Sequence, residues 1–245
     1  MSVLHIKKMI EDDTISALLA SIEKSCYHQS PYSHWYLKDC LSNQLAKGLT
    51  ALPFSAPRMF GISGKRDLRN AVRVFVNQRT QSQYFCLHIL ARAFQNCRVT
   101  DHISGFFGTD LDGTHLRIEY AQDTNGFWSE PHTDIADKVF SMHLYLSDDA
   151  GHEALGTDLY DTQKQQISRS PFIPNSAMVF IPSYNTFHGF EKRPVSGTRK
   201  SLIINYVRPN WRAKDQLAFP GVPVTCFSPI KLDDAKMKEN KKYGA

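Results

Sequence analysis

The chain has no CxxC pair. Its five cysteines, Cys26, Cys40, Cys86, Cys97 and Cys226, are odd in number and widely spaced. This argues against a disulfide framework and fits a reducing, cytoplasmic setting. No apolar run approaches membrane-spanning length, so no membrane partner is expected. Glu11-Asp12-Asp13 comes early, and no signal-peptide hydrophobic segment is expected ahead of it. Internal repeats and low-complexity segments are absent. The charge excess is small, +5 from 29 Lys and Arg against 24 Asp and Glu, and part of it sits in a lysine-rich tail. Without a strong basic, aromatic-interleaved surface, the balance argues against a nucleic-acid partner. What remains is an ordinary globular composition, 42% hydrophobic and 22% charged over 245 residues, enough to bury a sizeable core.

Patterning divides the chain into a helical first part and a β-rich second part. Asp13-Thr14 reads as the cap of a helix carrying Ile15, Leu18, Leu19, Ile22 and Cys26 on one stripe. A second helix is expected from Leu37 to Leu49, a loop from Pro53 to Lys65, a half-buried strand from Ala71 to Asn77 and a helix from Gln81 to Asn96. From Gly113 the period is two. Leu116, Ile118 and Tyr120 alternate with Arg117 and Glu119. In Val139 to Leu146, Phe140, Met142, Leu144 and Leu146 share one face, and Ser141, His143 and Tyr145 share the other. Further strands are expected at 156–160, 176–181, 186–192 and 199–207. The order suggests a mainly β fold with flanking α-helices, an antiparallel barrel or jelly roll with the N-terminal helices on one sheet. We expect one domain over residues 1–230, helical over 1–100 with a β core at about 101–210, and a charged tail at 231–245.

The chemistry concentrates in Trp128-Ser-Glu-Pro-His132-Thr-Asp134. His132 and Asp134 stand two apart on an extended segment, so an imidazole nitrogen and a carboxylate oxygen project to one side and are able to share a metal ion. About one His-x-Asp is expected by chance in such a chain, so the downstream context matters. That context is a strand, then His188, then Arg199-Lys-Ser201 opening the last strand. If a turn is centred on residues 194–197, His188 pairs with Ile203 in a hairpin. His188, Arg199 and Ser201 then share one face, with Arg199 about 13 Å along the ladder. That gap suits a short dicarboxylate held by the metal at one end and by the guanidinium fork at the other.

Together, PHTD at 131–134, GTDLYD at 156–161, NSAMVFIPSYNTFHGF at 175–190 and GTRKSLIINYV at 197–207 resemble the non-haem Fe(II)/2-oxoglutarate-dependent dioxygenases. The resemblance covers roughly residues 113–208. It implies a double-stranded β-helix (jelly-roll, cupin-like) core. It also implies a metal triad of His132, Asp134 and His188. Arg199 and Ser201 would bind the far carboxylate of 2-oxoglutarate, and Tyr120 or Tyr145 would add a cosubstrate contact. Fe(II), 2-oxoglutarate and O2 are the implied cofactor and cosubstrates, with succinate and CO2 as products. Asp134 points to hydroxylation rather than halogenation, because the related halogenases carry a small residue there.

A small organic substrate is expected, with a protein side chain or a saccharide as the alternative. A cupin-like metal-binding or inactive module is the competing class, and the Arg199-Lys-Ser201 clamp argues against it. Arg193 competes with Arg199 but sits in the turn. His115 and His143 read as strand histidines, with His143 as a possible substrate contact. Arg66, Arg69, Arg73 and Arg79 read as a solvated basic face rather than an entrance for an anion.

Overall fold

A computed structural model describes residues 3–58, 64 and 72–226. The tail at 231–245, together with Arg66 and Arg69, lies outside the described residues. The elements run α1 (Val3–Glu23), β1 (Cys26–His28), β2 (His34–Leu37), α2 (Asn43–Thr50), β3 (Val74–Phe75), α3 (Gln78–Gln83), α4 (Phe85–Gln95) and α5 (Cys97–Phe107). There follow β4 (His115–Asp123), β5 (Ser129–His132), β6 (Lys138–Tyr145), β7 (Asp158–Tyr160), β8 (Gln166–Arg169), β9 (Ala177–Phe180), β10 (His188–Phe190) and β11 (Arg199–Val207).

The strands form two antiparallel sheets. The larger has the order β1-β2-β9-β6-β11-β4-β3, the smaller β5-β10-β7-β8. On the larger sheet, alternation sorts residues to two different neighbours. Leu116, Ile118 and Tyr120 of β4, Phe140, Met142 and Leu144 of β6, and Leu202, Ile204 and Tyr206 of β11 merge into one core with the helices. The other face meets the smaller sheet, where Tyr145 packs with Phe172 and Phe190, and Met178 and Phe180 pack with Leu159. The fold is therefore mainly β with the helices on the outer face of one sheet, in line with the patterning.

Local expectations fail where tertiary context overrides them. Helix α1 starts ten residues before Asp13, so Asp13-Thr14 lies mid-helix. Thr14 is buried there, its hydroxyl 2.9 Å from that of Ser42. Ser42 is the true cap of α2, accepting from Leu45 N, while Leu37 ends a strand. The helix expected over 81–96 splits into α3 and α4 at the extended Tyr84. Helix α5 was not expected. Its signals are the Asn96 side chain accepting from Arg98 N, an apolar Val99, Ile103, Phe107 stripe, and left-handed Gly108 (φ 67°) closing it.

One register expectation is wrong. His188 and Ile203 do not pair. β10 pairs β5 and β7 in the smaller sheet, whereas β11 pairs β4 and β6 in the larger one. The connection at 191–198 crosses between layers instead of closing a hairpin, as consecutive strands of a two-sheet stack commonly do.

Candidate active site

A cavity of about 70 Å³ between the sheets is lined by His132, His188, Arg199 and Ser201, together with Arg73, Glu119, Asp123, Lys138, His143 and Thr157. Four of the expected site residues thus meet, but across the two layers rather than along a hairpin.

His132 and His188 are direct partners in the β5–β10 ladder, their ring centroids 4.5 Å apart. Gly189 permits that approach. A Cβ there would stand 2.8 Å from the Ser129 carbonyl oxygen. Each imidazole is oriented by its own backbone: Nδ1 of His132 lies 2.8 Å from the Glu130 carbonyl, and Nδ1 of His188 3.0 Å from that of Thr186. A carbonyl only accepts, so Nδ1 carries a proton in both rings, and in a neutral ring Nε2 is then the lone-pair nitrogen. Metal-binding imidazoles are commonly fixed in this way. Burial pushes the His188 pKa down to about 3. Asp134 opposes that shift, while His143 and Lys138 add to it. His188 is therefore neutral near pH 7, the state a metal ligand requires.

Asp134 is buried close to His188, yet its carboxylate is engaged elsewhere. Oδ1 accepts from the Lys138 ammonium at 2.6 Å, and Oδ2 from the Ser141 hydroxyl at 2.5 Å. Ser141 in turn accepts from Asn205 Nδ2 at 2.8 Å. Lys138 reaches the site through an irregularity. The β6–β11 register shifts between Tyr206 and Val207, so Lys138 instead of Val139 falls opposite Val207. That shift turns Lys138 onto the Ser141 and His143 face, as a bulge re-aims a side chain. Among the described residues, no group of three His, Cys, Asp or Glu side chains is gathered to hold a metal ion.

Arg199 is buried among the rings of Tyr145, Phe172 and Phe190. Its Nε donates to the Leu155 carbonyl and its Nη1 to Asp123 Oδ2, both at 2.7 Å. Arg73 Nη1 stands 2.8 Å from the other Asp123 oxygen. That second contact is an ion pair by distance only, since Oδ1 has no aligned hydrogen bond. Two guanidiniums thus share one buried carboxylate. Arg73 is therefore not part of a solvated basic face, although Arg79 is exposed. Arg193 does not line the cavity; it donates to Asp158 Oδ2 at 2.6 Å and to the Gly156 carbonyl at 2.7 Å.

The two tyrosines differ from expectation. Tyr120 lies on the helix face of β4, its hydroxyl donating to the Leu49 carbonyl at 3.0 Å. It points away from the cavity, and the expected cosubstrate contact is set aside. Tyr145 faces the smaller sheet, but its hydroxyl bonds the hydroxyls of Thr157 at 2.9 Å and Ser170 at 2.5 Å. Its ring walls Arg199 instead. His143 does line the cavity, 5.5 Å ring to ring from His188. Sequence reasoning missed Lys138, Ser141, Asp123 and Arg73. Ser141 shares a strand face with His143 and Tyr145, and Asp123 shares one with Arg117 and Glu119, so parity held a usable signal for these two. For Lys138 no regular alternation helps, because the irregularity changes its face.

A second, open groove of about 570 Å³ abuts the site. Asp134 and Lys138 lie in its wall with Asp110, Asp112, Ile135 and Tyr184. The five cysteines are unpaired, and among the described residues no helix is long and apolar enough to cross a membrane.

No protein-family model and no curated protein matches the chain. Solved structures do. A prolyl-4-hydroxylase of Pseudomonas putida is 14% identical with a TM-score of 0.50, over 79% of this chain and 94% of that one. A prolyl hydroxylase of Trichoplax adhaerens, in complex with a hypoxia inducible factor oxygen degradation domain peptide fragment, is 10% identical with a TM-score of 0.53, over 84% of this chain and 94% of that one. A prolyl 4-hydroxylase structure from Phytophthora capsici is 11% identical with a TM-score of 0.52, over 82% of this chain and 65% of that one. At these identities the likeness is one of fold.

Proposed function

We propose that the protein is an Fe(II)- and 2-oxoglutarate-dependent dioxygenase on a double-stranded β-helix, oxidising a C–H bond of an organic substrate. The observation that carries this reading is the single cavity holding His132, His188, Arg199 and Ser201 from β5, β10 and β11. A metal-storage module needs the two imidazoles. It does not need a buried guanidinium facing them.

The donor set suits the metal. Two imidazoles present Nε2, and one carboxylate lies close to His188, a mixed N/O set of the kind non-haem iron takes. His132, Asp134 and His188 would hold the ion. Bound Fe(II) supplies the dioxygen chemistry that splits 2-oxoglutarate into succinate and CO2 and oxidises the substrate. The chain's own residues bind, orient and exclude water. Arg73 and Arg199 carry two positive charges against the single negative charge of Asp123, so the triad has a net positive charge that a carboxylate neutralises. Ser201 adds a hydroxyl on the same strand face as Arg199. The rings of Tyr145, Phe172 and Phe190 keep the guanidinium dry, which strengthens its attraction for an anion.

The two cavities favour a substrate presented from outside. The smaller one has room for roughly five waters at 10–15 Å³ each, too little for a cosubstrate and a bulky substrate together. The open groove is eightfold larger and carries exposed Ile135 and Tyr184 beside Asp134. A side chain on a peptide or protein, reaching the small cavity from the larger groove, fits that arrangement better than a bulky free molecule does. The Trichoplax adhaerens neighbour, solved with a peptide fragment, supports the same substrate class.

Isothermal titration of 2-oxoglutarate into Mn(II)-loaded, oxygen-free protein tests the reading. Binding is expected only after metal. Protein that takes Mn(II) but no 2-oxoglutarate refutes it.

A further inference from the structure

We propose that Lys138 is a tethered cation that closes the metal position and must withdraw before an ion is held. The inference rests on the ligand set proposed above and goes beyond it. The Lys138 and Asp134 side chains are each 1% exposed and meet at 2.6 Å. The ammonium therefore sits on one oxygen of the carboxylate that the ion needs, and the three ligands are not gathered into a cluster. An ammonium and a divalent cation repel each other, and in a dry site little solvent screens them. Lys138 was aimed inward by the irregularity in β6, because with regular pairing Val139 would occupy that face.

The same residue has somewhere to go. Lys138 lines both the smaller cavity and the larger groove, so it stands where the two meet. The groove wall also carries Asp110 and Asp112. An ammonium moving to that side leaves Asp134 to the ion and finds carboxylates in place of the one it gave up. Ser141, bonded to the other oxygen of Asp134, keeps the carboxylate aimed during the exchange.

The rival role for Lys138 is to orient Asp134 as a ligand, and the two roles predict opposite signs. Mn(II) binding to the full chain, followed by electron paramagnetic resonance without oxygen, separates them. Lys138→Met keeps the length and apolar stem and removes the charge. It should bind Mn(II) at least tenfold more tightly than wild type. Unchanged or weaker binding overturns the proposal and leaves Lys138 as an orienting residue. A second measurement on wild-type protein needs no variant. Amine labelling read by peptide mass spectrometry should modify Lys138 faster once Mn(II) is bound, and labelling that does not rise with Mn(II) overturns the proposal as well. Failure of both wild type and Lys138→Met to bind Mn(II) removes the ligand set and this inference together. Binding by both with equal affinity removes the inference alone.

Discussion

Replacing Arg199 with Met separates cosubstrate binding from folding, because the buried Asp123 keeps a cationic partner in Arg73. Removing one partner of an isolated buried ion pair typically costs about 3–5 kcal/mol, since the other charge is left unpaired. Here Asp123 is shared. Arg73 remains 2.8 Å from its other oxygen, so Arg199→Met converts a triad of charge +1 into a neutral pair. The Met side chain also refills the space between the Tyr145, Phe172 and Phe190 rings. What is lost is one charge-assisted bond to Asp123 and one bond to the Leu155 carbonyl, both 2.7 Å long. We expect a destabilisation of about 2–3 kcal/mol, readable in urea unfolding and tolerable for a domain whose total is of order 5–15 kcal/mol.

The effect on 2-oxoglutarate is expected to be larger than such a tolerant fold would suggest. The cavity loses its excess positive charge, and the incoming carboxylate meets Asp123 with only Arg73 left between them. Loss of the fork together with that repulsion should weaken 2-oxoglutarate by about a hundredfold or more, roughly 2.7 kcal/mol. Asp123→Asn perturbs the same triad with the opposite sign. It leaves two guanidiniums without their carboxylate, so the apo protein should lose stability while 2-oxoglutarate binds more tightly and restores it. Titration calorimetry on the Mn(II)-loaded, oxygen-free variants reads both signs. If Arg199→Met binds 2-oxoglutarate within about threefold of wild type, the triad is purely structural and the clamp assignment fails.

Three further outcomes are expected. Asp134→Asn keeps an acceptor for Ser141 but removes the anionic ligand, so Mn(II) binding and turnover should both disappear. Mn(II) affinity near that of wild type would remove Asp134 from the ligand set. Tyr120→Phe loses one buried hydrogen bond to Leu49, costing about 1 kcal/mol in urea unfolding, and should leave 2-oxoglutarate affinity unchanged. A weakened cosubstrate would return Tyr120 to the site. Burial pushes the His34 pKa from its ordinary 6.5 down to about 4, so the unfolded chain binds the proton more readily. The stability held above pH 6.5 is lost as pH falls towards 4, by about 3 kcal/mol. His34→Phe should flatten that part of the stability profile, and an unchanged acid sensitivity would assign it elsewhere.

The strands of the second half were legible because apolar and polar residues alternate with period two over β4, β6 and β11. Their partners were not. A hairpin and a crossing between layers leave the same pattern in sequence, since both need only a polar connection such as residues 191–198. His132, His188, Arg199 and Ser201, singled out in the sequence, line one cavity in spite of this. Their grouping depends on which face each occupies, and facing layers bring inward residues together as a hairpin would. Lys138 is the opposite case. Its position opposite Val207 comes from one irregular step between β6 and β11, which alternation alone cannot reveal.

The remaining gap has one physical source. Alternation normally contrasts a buried face with a wet one, and Arg117 and Glu119 alternate in this way with Leu116, Ile118 and Tyr120. In the fold every residue of β4 is buried. Leu116, Ile118 and Tyr120 join the helix-side core, Glu119 and Asp123 line the cavity between the sheets, and Arg117 packs on Phe75 and Trp211. The odd-numbered positions carry charge because the charges are paired there, Arg117 with Glu119 and Asp123 with Arg73 and Arg199. Burying that many ionised groups is expensive unless each has a partner. A simpler core would put apolar residues on both faces, as strands buried on both sides usually do. The stretch beside His132 and His188 departs from this. The departure places charged and hydrogen-bonding side chains around a cavity too small for a bulky substrate, where a diacid and a divalent ion bring charges of their own. The polar residues on β4, β6 and β11 are thus best explained by the ligands proposed to complete them, and the Arg199→Met and Asp123→Asn pair measures how far that completion goes.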